Sequence, residues 1–193
     1  MTSKTMPVMV SRLGQVLSGH QWGEHHSGIV DASVDQVWVA VHQLRWSDLG
    51  WLRPVVALRG ITAMVGADTP MLQTFTSHGA VAHEEPPSMT MFALVGKPWS
   101  VVPQSRRVDT LDQVQAFDEP GWLKYGMEWV LHPLPDGRTM VETRTLCEAT
   151  DRSAERMFRL YWTLIRGFSG LLRREMIAAL GRRTSSGTGR DAG

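Results

Sequence analysis

A single cysteine, Cys147, leaves no partner for an internal disulfide and excludes a cysteine-rich metal site. Lysine is nearly absent. Only Lys4, Lys97 and Lys124 occur among 20 basic residues, and 19 acidic residues bring the net charge to +1. That balance lacks the basic field of a nucleic-acid binder. No apolar run approaches the ~18 residues of a membrane span, so integral membrane association is not expected. The apolar stretch at residues 6–10 is shorter than the core of a secretion signal. A reducing, cytoplasmic setting follows as the expectation. Neither a Gly-x-Ser-x-Gly elbow, a P-loop nor a dinucleotide fingerprint is present, which argues against nucleophilic-serine, NTP and NAD chemistry and calls for no cofactor.

What is present is apolar bulk. The 193 residues include 8 Trp and 11 Met, at 42% apolar and 20% charged composition. Large, partly adaptable side chains suit a wide core or a cavity. The length fits one domain with ragged ends. Residues 1–22 read as a flexible extension, 23–181 as the domain and 182–193 as a disordered, Ser/Gly-rich tail.

Along the body, a strand is expected at 24–31. Ser33 with Gln36 forms a capping box, and Val34, Val37, Trp38 and Val41 repeat at helical spacing. Residues 45–79 read as helical pieces, one opened by Pro54 and one by Thr69-Pro70. Strands at 80–84 and 89–95 flank Glu85-Pro86-Pro87-Ser88. A strand at 99–102 precedes a loop with a short helix near 111–117. Strands at 122–132 and 138–147 meet across Asp136-Gly137, a strong hairpin signal. One helix then runs from Asp151 to about Leu180. Its Arg152, Arg156, Arg159, Arg166 and Arg173 share a face, opposite Met157, Leu160, Tyr161, Leu164, Phe168, Leu171 and Leu172. The arginine face reads as solvated, because a membrane-binding helix must give its apolar face to lipid and this one needs that face for the sheet.

The hairpin supplies the sharpest expectation. Tyr125, Met127, Trp129 and Leu131 share the interior face of their strand. A two-residue turn at Asp136-Gly137 pairs Trp129 with Arg144 and Leu131 with Glu142. Both charges then enter the interior, with Thr143 and Thr145 outside; a three-residue loop reverses this. Metal binding finds little support. His83-Glu84-Glu85 lacks the second His of a zincin, since Pro87 stands there, and His25 and His26 point to opposite faces of a strand.

The order strand, helices, antiparallel strands, long amphipathic helix reads as α+β. It resembles the START-like (SRPBCC) superfamily, the helix-grip fold of polyketide cyclases, plant pathogenesis-related proteins and lipid-transfer domains. The resemblance rests on residues 29–38 (Ile-Val-Asp-Ala-Ser-Val-Asp-Gln-Val-Trp), on Thr143-Arg144-Thr145-Leu146, and on Ala149-Thr150-Asp151 leading into the last helix. More narrowly, residues 94–99 (Leu-Val-Gly-Lys-Pro-Trp) and 117–121 (Phe-Asp-Glu-Pro-Gly) resemble a bacterial subgroup of that superfamily. No catalytic set of an aromatase or cyclase maps onto the chain.

The resemblance implies a curved sheet wrapped around the helix, with a cavity for a hydrophobic or amphipathic small molecule, lipid or polyketide-like. Expected lining residues are Trp129, Tyr125, Met127, Phe92, Trp99, Leu164 and Phe168, with Arg144 and Glu142 as polar anchor. An enzyme of the cyclase or dehydratase type, using pocket acid/base groups, is the alternative reading, and a partner-binding module with a dry core is a third. The oligomeric state is not legible.

Overall fold

The computed structural model describes residues 11–50, 68–100, 102 and 104–188. Its elements are α1 (Arg12–Val16), β1 (Trp22–Val30), α2 (Val34–Gln43), a 3-10 turn (Trp46–Asp48), α3 (Met71–Ser77), β2 (Val81–Glu85), β3 (Met89–Lys97), β4 (Gln104–Arg106), α4 (Leu111–Ala116), β5 (Leu123–Pro133), β6 (Thr139–Ala149) and α5 (Arg152–Thr188). The helical piece expected at Pro54 lies outside the described residues. The strand expected at 99–102 is absent from Trp99 and Ser100, which sit in a turn, and a short strand begins at Gln104.

One six-stranded antiparallel sheet runs in the order β1-β6-β5-β3-β2, with β4 added to β3. The long helix α5 lies across one face, which makes this the α+β helix-grip arrangement. That inner face holds the main core. Phe92, Leu94, Met127, Trp129, Leu131 and Val141 pack there against α2, Trp46, Met71 and the C-terminal half of α5. The capping box at Ser33 and Gln36 forms as expected and starts α2.

The outer face of the sheet is covered as well. Met89, Met91, Ala93, Val95, Val130 and Leu146 pack under Leu13 and Leu17 of the α1 segment and Val114 of α4. Leu13 and Leu17 are fully buried. Glu128, also buried on this face, accepts hydrogen bonds from Ser11 Oγ at 2.7 Å and Leu13 N at 3.1 Å. Gly126, beside it, leaves room: a Cβ there would lie 2.8 Å from a Leu13 methyl. Residues 11–22 are therefore part of the fold, not a loose extension. A polar anchor and two buried leucines hold them. At the other end α5 runs to Thr188, past the expected end near Leu180. Its last turns are pinned to the 3-10 turn, where Arg183 meets the Asp48 carboxylate at 2.7 Å and Arg182 the Asp48 carbonyl at 3.0 Å.

The β5–β6 hairpin overturns the expected register. Trp129 pairs with Thr143, Met127 with Thr145, and Glu128 with Arg144. The loop has three residues, 135–137, closed by Leu134 N donating to Arg138 O at 2.8 Å. Gly137 takes a φ of +82°, the left-handed conformation that such a loop needs at its last position. The one-residue change moves every β6 side chain to the other face. Thr143 and Thr145 lie inside, and Glu142 and Arg144 outside.

Candidate functional site

Three strands in register lay down a floor beneath α5. From β5 through β6 to β1, its rows are Tyr125–Cys147–Trp22, Met127–Thr145–Glu24 and Trp129–Thr143–His26. Side chains two apart along a strand share a face, so all nine turn toward the helix. The aromatic and sulfur-bearing groups lie on the β5 side, and the titratable ones at the β1 edge.

Arg173 of α5 reaches into this floor. Its Nη1 rests against the Met127 sulfur and lies 3.7 Å from that of Met176. Thioethers are weak acceptors. Part of the residue stays accessible, yet its Nε is enclosed and has no hydrogen-bond partner. Burial pulls the guanidinium down to about 10, while Glu24 and Cys147 act in the opposite direction. Met127, against which the guanidinium rests, heads the row that continues to Thr145 and Glu24. The hydroxyls of Thr143 and Thr145 are likewise enclosed without partners. The Arg173 Nε and the two threonine hydroxyls are thus enclosed polar atoms without a hydrogen-bond partner among the described residues.

The β1 side is better satisfied. Glu24 accepts from Ser169 Oγ at 2.7 Å, and His26 Nε2 stands 3.9 Å from the same carboxylate. Desolvation lowers the His26 pKa, opposed by Glu24 and reinforced by Arg173, Arg174 and His25. Imidazole is therefore the neutral form at pH 7. Burial raises the Tyr125 phenol and the Cys147 thiol well above their ordinary values, so neither ionises near neutrality. A protonated, buried thiol is a small apolar group and not a nucleophile.

A groove of about 780 Å³ opens beside the floor, between β1 and α5. Glu24 and His26 belong to both. From the helix come Trp162, Arg166, Gly167, Gly170 and Arg174. The glycines keep it open: a Cβ at Gly167 would meet nothing within 4 Å, and one at Gly170 would lie 3.6 Å from the His26 ring. The groove thus has a cationic rim at Arg166 and Arg174 and an aromatic wall at Trp162, and Glu24 and His26 are shared between it and the floor.

The residues expected at the site divide three ways. Tyr125, Met127 and Trp129 share the floor. Phe168 packs, partly buried, against the main core. Phe92 is buried but stacks on Phe75 at 4.2 Å, and Trp99 joins Trp22 and Phe158 at the start of α5, so neither lines the groove. Leu164 is 76% exposed, because the sheet takes the neighbouring stripe of α5 instead. Glu142 and Arg144 are excluded by the register. On the outer face Arg144 lies 3.4 Å from Glu128, and Glu142 lies between His25 at 3.6 Å and His132 at 3.7 Å. Arg173, expected on a solvated face, is the central cation. Sequence reasoning missed it together with Thr143, Thr145, Glu24 and His26, all but Arg173 through strand facing. His25 and His26 do diverge to opposite faces. Among the described residues no group of three or more His, Cys, Asp or Glu is placed to hold a metal ion.

No family model matches the sequence, and no curated protein matches it. Solved structures similar to the chain include a conserved protein from Geobacillus kaustophilus, at 12% identity over 86% of this chain and 96% of that one, with a TM-score of 0.43. An aromatase/cyclase from a Streptomyces species has 12% identity over 84% and 93%, with a TM-score of 0.32. A protein from Nitrosospira multiformis has 13% identity over 88% and 100%, with a TM-score of 0.31.

Proposed function

We propose that the protein binds an amphipathic small molecule with an acidic head group. Its apolar part would lie in the groove between β1 and α5, and its head on Arg173 above Thr143 and Thr145. One observation carries this reading: the Nε of Arg173, whose guanidinium rests on Met127, and the hydroxyls of Thr145 and Thr143 in the floor rows of Met127 and Trp129 are enclosed without partners. Buried polar groups are normally satisfied, and a vacancy of donors calls for an acceptor-rich guest. Arginine's planar fork suits a carboxylate or phosphate. Lipid-like and polyketide-like acids both have the required chemistry. Titration with dodecanoate, followed by tryptophan emission and calorimetry, tests it. Dodecanoate should bind about tenfold or more tighter than dodecanol, and Arg173→Met should remove that preference. Equal affinity for acid and alcohol, or no binding of either, would refute the proposal.

A second reading rests on His26. A neutral imidazole beside Glu24, facing the groove, has the protonation state of a general base, as a cyclase or dehydratase would need. Under that reading turnover of a bound keto compound falls in His26→Gln while binding persists. Under the first reading His26→Gln leaves affinity within about threefold.

A further inference from the structure

The helix α5 is apolar on two sides. Toward the sheet it buries Ala154, Phe158, Met176, Ile177 and Leu180. Away from the sheet Met157, Leu160, Leu164 and Leu171 are 49%, 66%, 76% and 44% exposed. Their spacings of three, four and seven residues place them in one stripe along the helix. Four large apolar side chains in a continuous exposed line are more than scattered surface residues. The premise that the sheet uses the helix's only apolar face therefore fails, and with it the reading of the arginines as a merely solvated face.

Charge decides what the stripe meets. The helix carries eight arginines and two glutamates. Both glutamates are already paired, Glu155 with Arg159 and Glu175 with Arg182. Arg183 is held by Asp48 and Arg173 is turned inward. Arg152, Arg156, Arg166 and Arg174 make no ion pair among the described residues. Arg156 and Arg174 are eighteen residues apart, five full turns, so they lie in one row directly beside the leucines, with Arg152 one turn before them. A second copy of the chain is a poor occupant. A two-fold pairing centred at residue 165, in the middle of the stripe, would bring the Arg156 and Arg174 positions of two copies together, like charge on like charge.

We infer that this outer face of α5 lies on an anionic lipid surface, with the leucine stripe in the acyl boundary and Arg156 and Arg174 at the headgroups. An interfacial helix needs this juxtaposition of an apolar stripe and a cationic flank. The helix lies flat on the bilayer and does not cross it; no helix among the described residues is long and apolar enough to span one. Leu171 and Arg174 also border the groove, but Leu160, Leu164 and Arg156 do not, so variants at those three positions test the lipid surface without touching the groove.

Sedimentation of the full chain with vesicles of phosphatidylglycerol and phosphatidylcholine, against vesicles of phosphatidylcholine alone, tests it. Binding to the anionic vesicles should be about tenfold tighter, and it should weaken as salt is raised through the range where the Debye length shrinks. Leu160→Asp/Leu164→Asp should reduce it by about tenfold or more, and Arg156→Glu by about threefold, with melting temperature unchanged because these side chains are exposed. Equal binding to neutral vesicles, no binding to either, or full binding by the double aspartate variant would overturn the inference. So would light scattering that finds a wild-type dimer converted to monomer by the double variant, since a second copy would then cover the stripe.

Discussion

Arg173→Met should make the protein more stable while removing its acid preference. Holding the guanidinium at about 10 instead of its ordinary 12.5 means the fold disfavours the charge by roughly 3 kcal/mol, at ~1.4 kcal/mol per decade. Part of the residue is accessible, so screening reduces that to about 1–2 kcal/mol. Methionine fills a similar volume against the sulfurs of Met127 and Met176 and brings no charge. Against this gain, Glu24 loses its nearest enclosed cation. It keeps the Ser169 hydroxyl at 2.7 Å and His26 at 3.9 Å, so the offset is on the order of 0.5–1 kcal/mol. The expected net gain is about 0–1.5 kcal/mol, or roughly 0–6 °C in Tm for a chain of this size. Urea unfolding with unchanged slope, read by tryptophan emission, measures it. Glu24→Gln/Arg173→Met removes both charges and should gain more than the single variant. A loss of more than about 1 kcal/mol in Arg173→Met would refute the reasoning. The guanidinium would then be satisfied in the folded chain and not be a vacant anchor.

Thr143→Val should leave stability equal or raised by about 1 kcal/mol, because the lost hydroxyl has no partner to abandon, and should weaken dodecanoate binding; urea unfolding and calorimetry read the two effects. Deleting residues 1–20 should cost about 3–6 kcal/mol from Leu13 and Leu17 alone, at ~1.5–3 kcal/mol each, where a loose extension would cost nothing; thermal unfolding decides between them. Arg144→Ala should cost only about 1 kcal/mol, since Glu128 keeps Ser11 and Leu13 as donors, whereas Glu128→Ala leaves those donors unpaired under α1 and should cost about 1–3 kcal/mol, both in urea. His26 titrates below its ordinary 6.5 in the folded state, so the unfolded chain binds more protons in the window just below 6.5 and stability rises with pH there. His26→Gln should flatten that part of the Tm-against-pH curve, and an unchanged slope would place the titration elsewhere.

The architecture was legible in the sequence because its signals are local and agree with each other. The Ser33–Gln36 box, the Asp136-Gly137 turn and the long apolar repeat after Asp151 each specify an element without help from distant residues. The site was not legible, for two reasons. Asp-Gly suits a two-residue turn, yet Gly137 with positive φ closes a three-residue loop equally well. Period-2 alternation then converts a difference of one residue into a complete exchange of faces. The second reason lies in α5. Apolar residues cover about half its circumference, at Phe158, Leu172 and Met176 on one side and Met157, Leu164 and Leu171 on the other. Only contact with the sheet shows which side is core, and that choice carries Arg173 inward. Two strong patterns were read correctly as patterns, and the facing that neither encodes decided the chemistry.

The exchange of faces also explains where the polar groups are satisfied. Across β5 and β6 the outer pairs are matched by protein: Lys124 meets Glu148 at 2.6 Å, and Glu128 collects Ser11, Leu13 and Arg144. Among the described residues, His132 Nε2 is the one enclosed outer side-chain atom of these strands without a hydrogen bond, and it faces Glu142 at 3.7 Å. On the inner face the balance reverses. The hydroxyls of Thr143 and Thr145 and the Nε of Arg173 are enclosed and unpartnered, the two threonines on the same strand that is so well paired on its other side. A sheet that satisfies one face and leaves the other vacant is not short of polar partners in general. Valine at 143 and 145 and methionine at 173 would fill the same volumes without the desolvation cost of about 1–3 kcal/mol per unpaired group. That the chain keeps polar groups where apolar ones would stabilise it more is the physical argument for a guest at the floor. It is also why the same substitutions should raise stability and lower affinity together.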